Sequence, residues 1–249
     1  MNRPPLSAVI ITLNAASQLR ECLTSLAFCD EIVVVDSGSS DGTVELAKQQ
    51  GARLIHQDWL GYGRQKQFAV EQANHDWVLC VDADERVTTG LREAILAVLR
   101  APTFHAYRFA RCNRFMGRYL RHGEGYPDWS LRLFDRRHAR WSDDAVHEKV
   151  VADGEVGTLA GDLLHDSAES LQSYLAKQDR YTTLAADAAH AVGKRALFAR
   201  QLLSPAVRFI KFYFLRLGFL DGWPGLVHIL IGCRNSYSKY AKMRAGGKT

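Results

Sequence analysis

Three carboxylates close one short apolar run. Asp76-Trp77-Val78-Leu79-Cys80-Val81 leads straight into Asp82-Ala83-Asp84-Glu85. The run is rich in Val and bounded by polar residues, the pattern of a buried strand. In an open α/β sheet, ligands bind just beyond the carboxyl ends of strands. Asp-x-Asp on a tight turn there offers two hard oxygen ligands, which suit Mg²⁺ or Mn²⁺ sharing a bound phosphate. A solvated acidic turn is the plainer alternative. A second run, Glu31 to Asp36, also ends in a carboxylate, and Ser37-Gly38-Ser39-Ser40-Asp41-Gly42 after it is turn chemistry.

Positioning these groups needs a regular framework, and the first hundred residues supply one. Leu6 to Leu13 reads as a strand, and Leu19, Cys22, Leu23 and Leu26 then recur at helical spacing. After the second strand, Asp41 can cap a helix that Gly51 ends. Arg53 to His56 is a short third strand. A helical stretch follows Gly61-Tyr62-Gly63 and runs to about Asn74. The fourth strand ends at Asp82. Leu91, Ile95 and Val98 stripe another helix, capped by Thr88 or Thr89. This alternation predicts a mostly parallel sheet covered on both faces.

From Phe104 to His165 the pattern changes to short β-like pieces separated by Gly and Asp clusters, with many aromatic residues. Ser167 to Gly193 returns to helix. From Lys194 on, eleven basic residues stand against one acid, Asp221. Ile210, Tyr213, Phe214 and Leu217 follow a helical stripe there, with Arg208, Lys211 and Arg216 placed elsewhere. Such a basic amphipathic helix lies readily on an anionic membrane surface. Packing on the catalytic domain or a dimer partner is the alternative. We therefore expect three segments: 1–103, 104–193 and a helical basic tail, 194–249.

The net charge of +5 favours an anionic partner. Five scattered cysteines form no C-x-x-C pair and no zinc spacing, as expected of reduced thiols in the cytoplasm. No run reaches the ~18 apolar residues of a transmembrane helix. The first strand is followed by Leu13-Asn14-Ala15-Ala16-Ser17, which lacks the glycines of a dinucleotide fingerprint, and no P-loop is present.

The order of motifs is more specific. A strand ending near Asn14, a second ending at Asp36-Ser37-Gly38-Ser39-Ser40-Asp41-Gly42-Thr43 and a fourth ending at Asp82-Ala83-Asp84 resemble the family 2 glycosyltransferases of the GT-A fold. Tyr126-Pro127-Asp128-Trp129-Ser130-Leu131-Arg132-Leu133-Phe134, Ala139-Arg140-Trp141, Val146-His147-Glu148 and Ser170-Leu171-Gln172-Ser173-Tyr174-Leu175 extend the likeness over nearly the whole chain. They look like the bacterial lipopolysaccharide core glucosyltransferases. Many relatives carry Asn-Glu after the first strand, where this chain has Asn14-Ala15.

The resemblance implies an α/β, GT-A nucleotide-sugar-binding sheet with helices on both faces. It implies an inverting, divalent-metal-dependent transfer of glucose from a nucleotide-sugar to an inner-core heptose, at the cytoplasmic face of the inner membrane. Asp36 matches the acid that contacts nucleobase or ribose. Asn14, Ser37, Lys66 and Asp82 complete the expected nucleotide-sugar set, with Lys66 equally placed as a solvated lysine. Asp84 matches the direct metal ligand, with Asp82 beside it. His147 is a further candidate ligand, since imidazole can bind Mn²⁺. An inverting displacement needs one base, for which Asp128 comes first and Glu148 second. Arg132 can pair with phosphate or with a structural acid. Arg118, Arg121 and His122 can meet acceptor phosphates or be surface charge. No nucleic-acid partner is expected. The competing classes are a nucleotidyltransferase and a non-catalytic membrane-surface module.

Overall fold

The computed structural model describes residues 3–144, 148–167, 170–194 and 196–245. The chain forms two compact units, each discontinuous in sequence: Met1–Arg111 with Asp128–His165, and Cys112–Pro127 with Asp166–Thr249.

The first unit is built on parallel strands β1 (Leu6–Thr12), β2 (Glu31–Asp36), β3 (Arg53–His56) and β4 (Trp77–Cys80), in the order β3-β2-β1-β4. Antiparallel strands extend the sheet beyond β4: β8 (Asp128–Asp135), β6 (Ala106–Phe115), β11 (Val156–His165) and β5 (Glu85–Val87). The sheet buries both faces, and side-chain alternation sorts the core accordingly. Ala8, Ile10, Val34 and Leu79 pack on one side with helices α1 (Ala16–Ser25), α2 (Thr43–Gln49) and α4 (Thr89–Val98). Val9, Val33, Val35, Val78 and Cys80 pack on the other with Ala69 and Val70 of α3 (Tyr62–Glu71). Two short strands, β9 (Ala139–Trp141) and β10 (Val150–Ala152), pair beside α3, and Trp141 joins that second core. This is the GT-A architecture expected from the sequence. Burying each such side chain contributes about 1.5–3 kcal/mol.

Register decides what the sheet brings together. Thr12 pairs with Asp36, and Val9 with Cys80, so the turns after β1, β2 and β4 emerge along one edge. Antiparallel pairing of β11 with β5 sets His165 opposite Glu85.

Local chemistry explains the helix starts. Thr88 caps α4 by accepting from the Leu91 amide at 3.3 Å. Asp41 accepts from the amides of Thr43 and Ala16, both at 3.1 Å, so it fastens α2 to the start of α1 from one residue ahead of the cap, Gly42. Gly63 is required by close approach: a Cβ there would lie 2.5 Å from the Ser142 carbonyl oxygen.

In the second unit, the last residues of β6 pair with β7 (Arg118–Tyr119). Helices α5 (Leu171–Ala191), α6 (Phe198–Phe209) and α7 (Gly222–Ala245) pack together. Between α6 and α7 run a π-helical turn, Ile210–Leu215, and a 3₁₀ turn, Gly218–Asp221. The stripe expected through Ile210, Tyr213, Phe214 and Leu217 is therefore no continuous α-helix; Leu217, at φ +54°, ends it.

Candidate functional site

Asn14 stands in the left-handed region at φ +53°, a conformation Asn tolerates better than most residues. Its amide donates to Ser39 Oγ at 2.8 Å, and its side-chain oxygen accepts from the Ser40 amide at 2.9 Å. The turn after β1 is thus tied to the turn after β2. Asp36 holds the same turn from inside. Its carboxylate accepts from the Gly38 and Ser39 amides at 2.9 and 2.8 Å, from Thr12 Oγ1 at 3.0 Å, and from Ser39 Oγ. Burial alone would raise its pKa, but the bonds from Ser39, Gly38 and Thr12 outweigh burial and hold it below the usual carboxylate range. Asp36, expected as a nucleotide contact, also shapes the loop through these bonds. Ser37 is fixed by Gln65 of α3, whose amide donates to Ser37 Oγ at 3.0 Å.

The Asp82-Ala83-Asp84 turn divides its two acids. Asp82 faces cations. Lys66 Nζ lies 3.1 Å from Oδ1, and Arg132 Nη2 donates to Oδ2 at 2.9 Å. Arg132 also reaches Glu85 Oε1 at 3.3 Å. Glu85 is fully buried, and it accepts from the Asp82 amide at 2.9 Å, closing the turn. Desolvation pushes both carboxyls up. For Asp82, Arg132 and Lys66 more than compensate, and its pKa falls well below the ordinary range. For Glu85 desolvation wins, and the neighbouring Asp82 adds to the rise. The Trp141 ring packs against both cations, with Lys66 Nζ 4.8 Å and the Arg132 guanidinium 5.4 Å from its centroid.

Asp82, expected to bind nucleotide-sugar and metal, has Lys66 and Arg132 beside its carboxylate. Lys66 is buried on Asp82 rather than solvated, and Arg132 pairs with structural acids.

Asp84 points the other way. Its Oδ2 lies 3.2 Å from His165 Nε2, with both side chains partly exposed. A carboxylate beside an imidazole is a donor set that fits Mn²⁺ or a similar divalent ion. His165 carried no signal in the sequence beyond closing the last β-like run; only the β11–β5 register brings it to Asp84. His147, the histidine expected near the metal, lies outside the described residues.

Asp128 opens β8 and is gripped by Arg111, whose Nε and Nη2 lie 2.9 and 2.7 Å from Oδ2. Arg111 also lies 3.6 Å from Glu85, so it links Asp128 to the Asp82–Glu85 turn. Glu148 lies 3.6 Å from Lys66. Sequence reasoning did not assign Arg111 or Glu85 a role. Arg121 and His122, considered as phosphate contacts, lie in the second unit beside Asp221, which is 3.1 Å from His122 Nδ1. The buried Asp221 accepts from their backbone amides at 3.0 and 2.8 Å.

Carboxylates and cations thus gather past the carboxyl ends of the parallel strands, where open α/β sheets bind ligands. Residues 7–152 match the family described as "Glycosyl transferase family 2". The lipopolysaccharide core biosynthesis glycosyltransferase LpsC of Rhizobium meliloti (strain 1021) is 34% identical over 95% of this chain and 93% of its own. An uncharacterised glycosyltransferase of Rickettsia typhi is 29% identical over 96% and 86%. Among solved structures, S. aureus TarS 1-349 in complex with UDP-GlcNAc aligns with 94% of this chain and 81% of its own, at a TM-score of 0.49 and 16% identity. The chain belongs to glycosyl transferase family 2. It is a glycosyltransferase, which sets aside the nucleotidyltransferase and non-catalytic readings.

Proposed function

We propose that the protein is an inverting, divalent-metal-dependent hexosyltransferase. It moves glucose from UDP-glucose to an inner-core heptose of lipopolysaccharide or a similar lipid-linked glycan. The observation that carries this reading is the clustering of Asp128, through Arg111 and Glu85, with the Asp84–His165 pair at one sheet edge. The name of the Rhizobium relative supports the lipopolysaccharide acceptor.

In this reading Asp84 and His165 hold the ion, which neutralises the departing diphosphate when bound. The loop shaped by Asn14, Asp36 and Ser37 seats the nucleotide. Asp128 takes the proton of the acceptor hydroxyl as it attacks, with Arg111 fixing the carboxylate in place. A single displacement inverts the anomeric centre and needs no covalent nucleophile. The developing oxocarbenium charge is met by the same carboxylates.

The enzyme works at the cytoplasmic face of the inner membrane, where a lipid-linked acceptor resides. Leu203, Val207, Ile210 and Phe214 are all more than half exposed along α6 and the π-helical turn, and Trp223 follows at the start of α7. No single helix among the described residues is long and apolar enough to cross a membrane; Phe198–Leu215 and Gly218–Ala245, bent by 74°, pass only as a pair. This apolar surface with neighbouring Lys and Arg suits insertion into an anionic leaflet.

The test is acceptor-dependent release of nucleoside diphosphate. Asp128→Asn should keep donor binding and lose turnover by ~10²–10⁴-fold. Near-normal turnover in Asp128→Asn together with loss in Glu148→Gln would move the base to Glu148. Release of pyrophosphate would refute the transferase mechanism.

A further inference from the structure

Helices pack best through apolar stripes, yet in the second unit α5, α6 and α7, with Glu124, line an open polar cavity of about 250 Å³. The polar groups around it are pinned in pairs. Arg208 donates to Glu124, the Asn235 amide to Gln178 at 3.0 Å, and Ser204 bonds Ser236 at 2.8 Å. Tyr174 Oη lies 3.1 Å from His228 Nε2. Gly232 leaves room for Glu124 against α7. Lining a helix interface with such groups costs free energy unless they are satisfied, and the spaces between bundle helices are where ligand sites are built.

The lining specifies a ligand. Asn235, Gln178 and the serine hydroxyls suit a partner with many hydroxyls. Tyr181 and Tyr240 add aromatic surface to the lining. Two cations, Arg208 and Lys239, stand against one carboxylate, Glu124. Arg208 is committed to Glu124, whereas Lys239 meets no carboxylate among the described residues, only the Tyr240 ring at 5.3 Å. The surplus is one positive charge.

We propose that this cavity is a binding subsite for a hydroxyl-rich, negatively charged sugar unit. In naming the glycan acceptor as the source of that unit, the inference rests on the transferase reading above.

The experiment uses the full chain with UDP and Mg²⁺ present at saturation, so that the nucleotide site is filled. Glucose 6-phosphate, glucose and inorganic phosphate are titrated by saturation-transfer NMR. Glucose 6-phosphate should bind better than either of the others. Ala185→Phe, which fills the cavity from α5, and Lys239→Gln, which removes the free cation, should each weaken it at least tenfold. UDP affinity should not move. Were Ala185→Phe to fold poorly, Lys239→Gln would decide alone. Unchanged affinity in the folded variants overturns the proposal. So does displacement of glucose 6-phosphate by UDP, or equal binding of glucose or phosphate alone. A wild type that binds glucose 6-phosphate but turns over no nucleotide-sugar would sink the transferase reading and leave the subsite standing.

Discussion

Arg132 is the residue whose loss should be felt most. It is almost fully buried, and its guanidinium serves two carboxylates at once: Asp82 Oδ2 at 2.9 Å and Glu85 Oε1 at 3.3 Å. Arg132→Met keeps length and packs beside Trp141, but leaves both acids short of a partner. Removing one member of a buried ion pair costs about 3–5 kcal/mol. Lys66 remains on Asp82 at 3.1 Å, while Glu85 keeps the Asp82 amide at 2.9 Å and, as its nearest cation, Arg111 at 3.6 Å. The cost therefore falls mainly on Glu85, and about 3 kcal/mol is the expected value, since a carboxyl whose pKa is already raised can escape by taking a proton. Urea unfolding at several pH values measures it. In the wild type, Glu85 has a folded pKa above its ordinary 4.5, so its contribution is present below about that pH and is lost as pH rises through the folded value. Asp82 has the opposite sign: its contribution is present above 3.8 and is lost as pH falls through its depressed folded pKa. Without Arg132 both folded values rise, so the destabilisation should shrink steadily from pH 8 toward pH 4. Adding Glu85→Gln to Arg132→Met should return part of the loss, with coupling of about 1–3 kcal/mol. A single variant within about 1 kcal/mol of wild type, or a loss independent of pH, would refute this account of the network.

Three further outcomes follow from the geometry. At Mn²⁺ near 100 times its Kd the wild type should gain about 2.7 kcal/mol of stability, and a tenfold affinity loss in His165→Ala should cut that to about 1.4 kcal/mol; equal stabilisation of both would remove His165 from the ion site. Gly63→Ala pushes a Cβ to 2.5 Å from the Ser142 carbonyl oxygen, so unfolding should cost about 1–3 kcal/mol more through overpacking, and a neutral result would mean the Ser142 loop gives way freely. Replacing Leu203, Val207 and Phe214 by Ser should abolish sedimentation with anionic liposomes while sparing activity on a water-soluble acceptor, and unchanged sedimentation would reject the membrane surface. Arg208 and Arg216 are poor probes for that purpose, because they are committed to Glu124 and to the Tyr126 carbonyl oxygen.

The parallel half of the fold was legible because each of its elements carries a local signal. The run Glu31–Asp36 is a strand end to end, and Thr88 announces its helix through a hydroxyl ahead of an apolar stripe. The antiparallel extension was not legible. β5 is three residues long and exists because β11 returns to pair with it. No spacing rule encodes that return, so His165 was missed as the neighbour of Asp84. Arg111 was missed for the same reason: it reaches Asp128 across the β6–β8 ladder, where the two residues face each other. Lys66 and Arg132 were noticed, but whether a cation serves a ligand or an acid depends on burial, which a single sequence does not show. The exposed run in the tail was read as one helix because Ile210, Tyr213, Phe214 and Leu217 fit helical spacing; a π-helical turn satisfies much of the same pattern.

The Asp-x-Asp turn shows why two like residues one position apart need not share a role. Asp82 looks toward α3 and β8 and meets Lys66 and Arg132; Asp84 looks toward β11 and meets His165. Formal charges around the turn then take a definite sum. Lys66, Arg111 and Arg132 supply three positive charges, and Asp82, Asp84, Glu85, Asp128 and Glu148 supply five negative ones. The surplus of two negative charges matches one divalent cation. The buried cations Lys66 and Arg132 pair with Asp82 and help hold the turn closed. The remaining carboxylates, Asp84, Asp128 and Glu148, lie beside His165, Arg111 and Lys66, and an arriving ion and an acceptor hydroxyl each need a carboxylate. On this argument we propose that Asp82 also positions the turn. Its loss should lower stability and ion affinity together, whereas loss of Asp84 should lower ion affinity alone.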